Sequence, residues 1–311
     1  IQYLTSISSS HDIAGQQSAF NRFLFGEVTP LAVIKPYGIT VRNSRIYVCD
    51  TGIGGLIIID LEQREMDLFV PEGEGRLMFP INCHVDEEGS LYIADGNRRQ
   101  IVVFDNEGKF ISAFGGPEGF KPTDVSVNKN KVFVTSVSSQ RVLVYDRDSL
   151  SLLLSFPVAE AGDPEYLYQP VNIAVTDDEI FVSDMGDFKI KVFAHDGRYI
   201  RSVGSYGNRY GQLTRPKGIA VDREENLYIV DAAFENVQIF NDIGQLLMFF
   251  GGHYSKPGDM WLPAGVAIDY DNLQFFSEYV DKRFDLQYLI FVTNQYGPEK
   301  ISVYGFVKPA K

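Results

Sequence analysis

Five polar residues of the chain have the types and the spacing that could bind a ligand or a cation. They stand two or four positions after Pro80, Pro122 and Pro170, and they are Asn82, His84, Asp124, Ser126 and Asn172. Residues two apart on a β-strand lie on the same face, so equivalent strands would bring these side chains together. Carboxylate and amide oxygens are ligands that Ca²⁺ prefers. The pattern leaves two hypotheses open: a water-filled channel, or a cation site formed by Asp124, Asn82 and Asn172.

Nucleophilic catalysis finds less support in the sequence. Cys83 and His84 are adjacent, so on a strand they point to opposite faces, which argues against a catalytic pair. Cys49 and Cys83 are the two cysteines of the chain, too few for a disulfide framework or a Cys-rich metal site. Because disulfide geometry is strict, we expect two buried free thiols, with a bridge between them as the alternative. No catalytic residue is assigned.

The three prolines belong to a repeat that runs through the chain. Its six anchors, spaced 44, 42, 48, 46 and 47 residues apart, are Pro36, Pro80, Pro122, Pro170, Pro216 and Pro263. Each anchor opens an apolar strand, and a second and a third strand follow after short turns; most units add a fourth. Four-stranded units repeated radially form a β-propeller. The sequence therefore predicts an all-β, six-bladed β-propeller as a single domain over residues 1–311, with the blade repeats over 35–306.

The ends of the chain indicate how the ring closes. The sixth unit stops after its third strand, at Phe306, and residues 2–8 (QYLTSIS) align with a fourth strand elsewhere in the chain (RYIRSVG). We therefore expect residues 1–8 to form the outer strand of blade 6; a disordered tail is the alternative. Residues 9–34 then connect to blade 1, and the aromatic segment 18–26 favours a short amphipathic helix or a plug over the channel mouth.

The openings of the first strands and segments such as GQLTRPKGIAVD (residues 211–222) resemble NHL repeats over nearly the whole chain. The resemblance implies an NHL-type propeller but no single function, because such propellers include RNA binders, lyases, hydrolases and interaction modules. The chain is most similar to bacterial exported NHL-repeat proteins, many of them predicted lipoproteins encoded beside multihaem c-type cytochromes. This implies a periplasmic or cell-surface location and a cytochrome partner. Because the chain starts at Ile1 rather than Met, a lipid-anchored linker before it stays open.

The enzymatic relatives need axial residues that this sequence supplies only in part. Amidating lyases place three histidines around a metal, and here only His84 lies on a predicted first strand. Calcium-dependent lactonase-like propellers need an axial Glu, and none stands two positions after any anchoring proline. Asp124, Asn82 and Asn172 would supply the remainder of such a set.

The charge of the chain is strongly negative, with 28 Lys and Arg against 41 Asp and Glu. A protein that binds nucleic acid neutralises phosphates with Lys and Arg, so we expect no nucleic-acid binding. A small basic patch has too few residues for more than weak phosphate contact: Arg209, Arg215, Lys217 and Lys256. We call the face with the first-to-second and third-to-fourth turns the hairpin face, and the opposite one the loop face. The hairpin-face turns hold 20 acidic and nine basic residues. Two interpretations of this acidic surface stay open. It keeps the protein soluble, or it binds a basic partner through Glu87, Glu88, Asp177 and Asp178.

The largest insertion, residues 272–287, lies on the hairpin face in blade 6. It contains Phe275, Phe276, Tyr279 and Phe284. Four aromatic residues need burial or a partner, which argues against disorder. They either bind a partner or pack on the side of the propeller, and the sequence does not choose.

The function predicted from these patterns is a non-enzymatic interaction module that docks a protein partner through the acidic face and the insertion. The alternative is a calcium-dependent hydrolase or lyase on the axis. No stretch approaches the about 20 apolar residues that a membrane span needs, and no cofactor is expected apart from the calcium of that alternative.

Overall fold

The computed structural model describes residues 1–15 and 29–310, and it arranges them as six antiparallel four-stranded sheets. The chain opens with β1 (Gln2–Ile7) and a short helix, α1 (Ser10–Ala14). Segment 18–26, for which we expected a helix or plug, lies outside the described residues. None of the helices within the described residues is long and apolar enough to cross a membrane.

Blades 1 to 3 each contain four strands in chain order. Blade 1 consists of β2 (Pro36–Arg42), β3 (Arg45–Asp50), β4 (Gly55–Asp60) and β5 (Glu65–Phe69). Blade 2 consists of β6 (Pro80–Val85), β7 (Leu91–Asp95), β8 (Gln100–Phe104) and β9 (Phe110–Phe114). Blade 3 consists of β10 (Pro122–Asn128), β11 (Lys131–Ser136), β12 (Arg141–Asp146) and β13 (Leu152–Phe156).

Blades 4 and 5 repeat this order, and blade 6 departs from it. Blade 4 consists of β14 (Pro170–Val175), β15 (Glu179–Asp184), β16 (Lys189–Ala194) and β17 (Tyr199–Val203). Blade 5 consists of β18 (Pro216–Val221), β19 (Leu227–Asp231), β20 (Asn236–Phe240) and β21 (Leu246–Gly251). Blade 6 consists of β22 (Pro263–Asp269), β23 (Phe284–Asn294), β24 (Ile301–Pro309) and β1. The structure confirms the predicted all-β, six-bladed propeller.

The N-terminal strand closes the ring as predicted. β1 pairs antiparallel with β24, from Gln2 opposite Gly305 to Ile7 opposite Ile301. Ile7 is 1% exposed, and it shares one apolar cluster with residues of blades 1 and 6. The strand thus covers the edge that β24 would otherwise expose.

The insertion in blade 6 is ordered and only partly a loop. Two 3-10 turns, Leu273–Phe275 and Ser277–Tyr279, lead into β23. Residues 284–287, which were predicted to belong to the insertion, are part of β23, and residues 284–286 pair with residues 307–309. The third strand of blade 6 accordingly runs to Pro309, beyond the predicted end at Phe306.

The blades pack through alternating apolar side chains, and burial is deepest in the inner strands. All five residues of β7, of β19 and of β20 are buried, whereas the outer strands β9 and β21 are largely half-exposed or exposed. Cys49 and Cys83 lie in this core as free thiols. The first strands (β2, β6, β10, β14, β18 and β22) contact one another around the axis and carry the candidate site.

Candidate functional site

The six first strands surround a central cavity of about 240 Å³, lined by residues two to five positions after the anchoring prolines. All five residues singled out above line it: Asn82, His84, Asp124, Ser126 and Asn172. Each first strand has a register shift just after its anchoring proline. Because proline cannot donate a ladder hydrogen bond, a bulge at this point is tolerated and re-aims the following side chains. This local geometry turns the polar positions toward the axis.

The second position after each proline is where neighbouring first strands come closest. A Cβ on Gly218 would lie 2.6 Å from the carbonyl oxygen of Ala264, and one on Gly265 would lie 2.5 Å from that of Tyr37. Gly38 faces Asn82 in the same way. The three remaining blades place Asn82, Asp124 and Asn172 there. Glycine permits direct backbone contact, and Asn or Asp replaces it with hydrogen bonds.

Asp124 uses both of its carboxylate oxygens as acceptors, and Oδ2 joins blade 3 to blade 4. Oδ1 accepts the backbone N–H of Val125 at 2.8 Å. Oδ2 accepts the N–H of Ile173 at 3.0 Å and the Asn172 Nδ2 at 3.1 Å. Burial raises the pKa of Asp124 to about 7, although all three hydrogen bonds favour the charged form. The carboxylate is therefore engaged by protein donors and about half protonated near neutral pH.

Asn82 and Asn172 also link neighbouring blades around the axis. Asn82 donates its Nδ2 to the carbonyl oxygen of Thr123 at 2.8 Å, which joins blade 2 to blade 3. Asn172 Oδ1 is buried without a hydrogen-bond partner among the described residues. Within residues 1–15 and 29–310, no three His, Cys, Asp or Glu side chains form a group that could hold a metal ion. The three predicted cation ligands, Asn82, Asp124 and Asn172, line the same cavity, and Asp124 supplies the one carboxylate among them.

His84 and Ser126 lie further along the cavity, toward the hairpin face. Burial lowers the pKa of His84 to about 4; Asp86 opposes this shift and Arg42 adds to it. The imidazole is therefore neutral at pH 7. In the described part of the chain, no hydrogen bond joins His84 to Ser126 or to Asp124, so these residues do not form a nucleophile–base pair.

Asp124 and His84 should give the stability of the protein opposite dependences on pH. The raised pKa of Asp124 adds stability at low pH that is lost as the pH rises from about 4 to about 7. The lowered pKa of His84 adds stability above about pH 6.5 that is lost as the pH falls toward about 4. Relative to the wild type, the free energy of unfolding of His84→Gln should fall as the pH rises through this range, and that of Asp124→Asn should rise, each by about 3–4 kcal/mol.

Urea unfolding at a series of pH values measures both slopes. His195→Gln is the matched control, because it removes a histidine that does not line the axial cavity. Identical profiles in wild type and both axial variants would contradict the burial of these two groups.

The aspartates that end the second strands have a structural role. Asp95 accepts backbone N–H groups from Met78, Phe79, Asn97 and Arg98 at 2.6–3.2 Å. Asp50, Asp184 and Asp231 make the same kind of contacts. In blades 3 and 6, Ser136 and Asn294 accept fewer of these bonds. Each cap ties the incoming connection to its own blade.

The acidic residues of the hairpin face are in part exposed and in part structural. Of the 20 acidic residues in its turns, 13 are exposed, as are six of the nine basic residues. Asp86, Asp222 and Asp269 are buried and accept backbone N–H groups of their own turns. The exposed surface therefore keeps a clear negative excess.

The four acidic residues expected to bind a partner are all exposed. Glu88 pairs with Arg147 at 2.8 Å, and Asp177 pairs with Lys129 at 3.1 Å. Exposed pairs of this kind contribute little to stability. Glu87 and Asp178 have no basic partner within the described residues.

The aromatic residues of the insertion divide between the core and the surface. Phe276 is 4% exposed and packs edge-on against Phe291 at a ring distance of 5.6 Å. The prediction that Phe276 contacts a partner is therefore wrong, because its ring is buried in the core of blade 6. Phe275 and Phe284 are half-buried, and Tyr279 is 43% exposed.

The apolar and aromatic character of the loop face was not predicted from the sequence. The connections of this face expose Met78, Tyr206, Tyr210, Trp261 and Tyr296. The prediction that Lys217 belongs to a surface patch is wrong, because Lys217 is only 4% exposed. Its place in the repeat could have indicated this burial, since Lys217 directly follows an anchoring proline at the start of a first strand, and the first strands contact one another around the axis.

Comparisons with known proteins agree with this architecture. A family model described as a 6-bladed beta-propeller, DUF5128, matches residues 160–306. This chain is a six-bladed β-propeller. No curated protein sequence is matched.

Several solved structures share the fold at low sequence identity. A Bacteroides thetaiotaomicron protein of unknown function is 13% identical, with a TM-score of 0.69, covering 99% of this chain and 76% of that one. A catalytically inactive virginiamycin B lyase from Staphylococcus aureus is 13% identical, with a TM-score of 0.60 and coverages of 89% and 84%. An auxiliary nutrient binding protein from Bacteroides thetaiotaomicron is 12% identical, with a TM-score of 0.63 and coverages of 87% and 69%. At these identities the similarity concerns the fold alone.

Proposed function

We propose that this propeller is a non-enzymatic interaction module that docks a basic protein partner on its hairpin face. The observation that carries the proposal is the excess of 13 exposed acidic side chains over six exposed basic ones in the turns of that face. A surface of one sign steers an oppositely charged partner and raises the association rate at low salt.

The blade 6 insertion gives this surface a fixed aromatic contact. Gln2 of β1 donates its Nε2 to the carbonyl oxygen of Tyr279 at 3.2 Å and accepts the N–H of Asp281 at 3.3 Å. The turn that carries Tyr279 is therefore held against the closing strand. Exposed tyrosines on ordered turns are common energetic centres of interfaces. We propose Tyr279, flanked by the half-buried Phe275 and Phe284, as the apolar contact beside the acidic surface.

The partner class favoured by this chemistry is a basic c-type cytochrome. Complementary charge supports it, as does the resemblance of the repeats to exported NHL propellers. The same resemblance supports a periplasmic or cell-surface location. The chain would then act as a docking partner rather than as an electron carrier.

A calcium-dependent hydrolase or lyase on the axis is the second candidate. It is favoured by the buried, unpartnered Asn172 Oδ1 beside Asp124, and one structural neighbour is a lyase. A calcium ion would need about six to eight oxygen ligands and would compete with three donors for the Asp124 carboxylate. For this reason we place it second.

Reversing the acidic surface should weaken partner binding. We expect Glu87→Lys, Glu88→Lys, Asp177→Lys and Asp178→Lys together to lower the affinity for a basic c-type cytochrome by about tenfold or more at low salt. The wild-type affinity should fall as salt is added, because exposed charges are screened. Surface plasmon resonance at two ionic strengths measures both effects.

The matched control reverses four exposed glutamates on the loop face, Glu72, Glu74, Glu118 and Glu160. It changes the net charge by the same amount and should reduce binding far less. Equal losses in both variants would show that net charge rather than the hairpin face acts, which would contradict the proposal. No binding to any basic protein, together with a calcium-dependent rise in Tm that Asp124→Asn abolishes, would support the axial candidate instead.

A further inference from the structure

The loop-face end of the axis is positively charged in an otherwise acidic protein. The residues directly before the six anchoring prolines are Lys35, Phe79, Lys121, Gln169, Arg215 and Leu262. Those directly after them are Tyr37, Ile81, Thr123, Val171, Lys217 and Ala264. These twelve positions hold four cations and no acidic residue, although the chain carries a net charge of −13.

A second cavity, of about 240 Å³, lies at this end of the axis. Its described lining combines apolar side chains with a cation and a few polar groups: Lys35, Tyr37, Thr51, Phe79, Ile81, Thr123, Val171 and Gln295. We call this cavity, together with Lys217 and Arg215, the loop-face mouth. An apolar pocket with few polar groups at one side is the usual form of a small-molecule site.

Lys217 is a buried cation without a carboxylate partner in the described part of the chain. It is 4% exposed, and its Nζ lies over the ring of Tyr37, 5.1 Å from the centroid. Lys191 differs from Lys217 in this respect: it is fully buried, but its Nζ pairs with Asp184 at 3.3 Å and with Asp187 at 2.9 Å. A buried charge without such a partner is costly. The cost would be relieved by an anion that enters the mouth.

The electrostatics around Lys217 agree with this arrangement. Burial lowers the pKa of Lys217, and together with the neighbouring cations Arg215 and Lys35 it brings that pKa to about 8. Burial also raises the pKa of Tyr37 to about 12, so its ring faces Lys217 as a neutral group at neutral pH. Three cations thus act on one small volume, and an anion would interact favourably with all of them.

We propose that the loop-face mouth binds a small carboxylate with an apolar body. The carboxylate accepts hydrogen bonds from Lys217 and pairs with Lys35 or Arg215. The apolar body lies against Phe79, Ile81 and Val171. This site is separate from the hairpin face and does not depend on the function proposed for that face.

Calorimetric titration with three probes tests both parts of the ligand. Phenylacetate has the charge and the apolar body, phenylacetamide has only the body, and acetate has only the charge. We expect phenylacetate to bind about tenfold or more tightly than either of the others, because charged hydrogen bonds and apolar burial both contribute.

Substitutions at Lys217 test the position of the site. Lys217→Gln should weaken phenylacetate binding by about tenfold or more, and Lys109→Gln, at an exposed lysine of the hairpin face, should leave it unchanged. Comparison of the Tm values shows that both variants are folded. Since removing an unpaired buried charge relieves a cost, Lys217→Gln should fold at least as stably as the wild type.

The pH dependence of binding gives a further readout. In wild type the affinity should fall above about pH 8, where Lys217 loses its proton. The other charged or titratable groups around it are Arg215, Lys35 and Tyr37, and Asp124 acts on Tyr37 from the axis. Lys217→Arg keeps a positive charge at this position and leaves Asp124 unchanged. Because arginine does not lose its proton near pH 8, this variant should not show the fall in affinity. Equal binding of phenylacetate and phenylacetamide, or an unchanged affinity in Lys217→Gln, would overturn the proposal.

Discussion

Replacing Ile7 with alanine should lower the free energy of unfolding by about 2–5 kcal/mol, the range for truncating a buried isoleucine. Ile7 is 1% exposed and belongs to the apolar cluster that blades 1 and 6 share. It also lies opposite Ile301 at the end of the closing pair of strands. The cavity left by the substitution would therefore weaken the pairing of β1 with β24, which joins the two ends of the chain in blade 6.

Urea unfolding followed by circular dichroism measures this loss. The matched control is Ile111→Ala, which truncates the same residue type on the fourth strand of blade 2, where Ile111 is 53% exposed. It should change the free energy of unfolding by no more than about 0.5 kcal/mol. Equal, small effects of the two substitutions would mean that the N-terminal strand does not hold blade 6 in solution, as the alternative of a disordered tail requires.

Replacing Asp95 with alanine should destabilise the protein by about 3–5 kcal/mol, because it leaves four part-buried backbone donors without their acceptor. The Asp95 side chain is fully buried and accepts four backbone N–H groups. Two of these, from Met78 and Phe79, belong to the connection from blade 1, and the other two belong to the following turn. Loss of the carboxylate would therefore loosen the connection between two blades as well as the turn.

Asp105→Ala in the same blade is the control for this substitution. Asp105 accepts two backbone N–H groups, from Glu107 and Lys109, in a half-exposed turn where water can replace the carboxylate. We expect a loss of about 1 kcal/mol there. Thermal unfolding of the two variants compares them directly, and a loss at Asp95 no larger than that at Asp105 would be inconsistent with the buried cap.

The sequence predicted the architecture because the repeat carries its own periodicity. Six anchoring prolines and the strands that follow them define six blades, and the missing fourth strand of the last blade identifies residues 1–8 as its complement. The alternation of side chains along a strand also places Asn82, His84 and Asp124 on the axis without any coordinates. Ser136 and Asn294 stand at the position of Asp95 in two other blades, which is compatible with a capping role and not with a catalytic one.

What the tertiary structure decided were the partners of each side chain. The pattern could not show that Asp124 Oδ2 accepts hydrogen bonds from Asn172 and Ile173, because those two contacts cross from blade 3 to blade 4. The sequence does not show which of the four aromatic residues of the insertion is buried. In the structure it is Phe276, which packs against Phe291.

Lys217 shows the same division between sequence and structure. The sequence places a lysine after a proline, and only the packing of six strands shows that it is buried over Tyr37 without a carboxylate in the described part of the chain. Periodicity along one strand determines which face a residue occupies. The distances between strands decide whether that face is solvent, core or a site, and these distances exist only once the ring has closed.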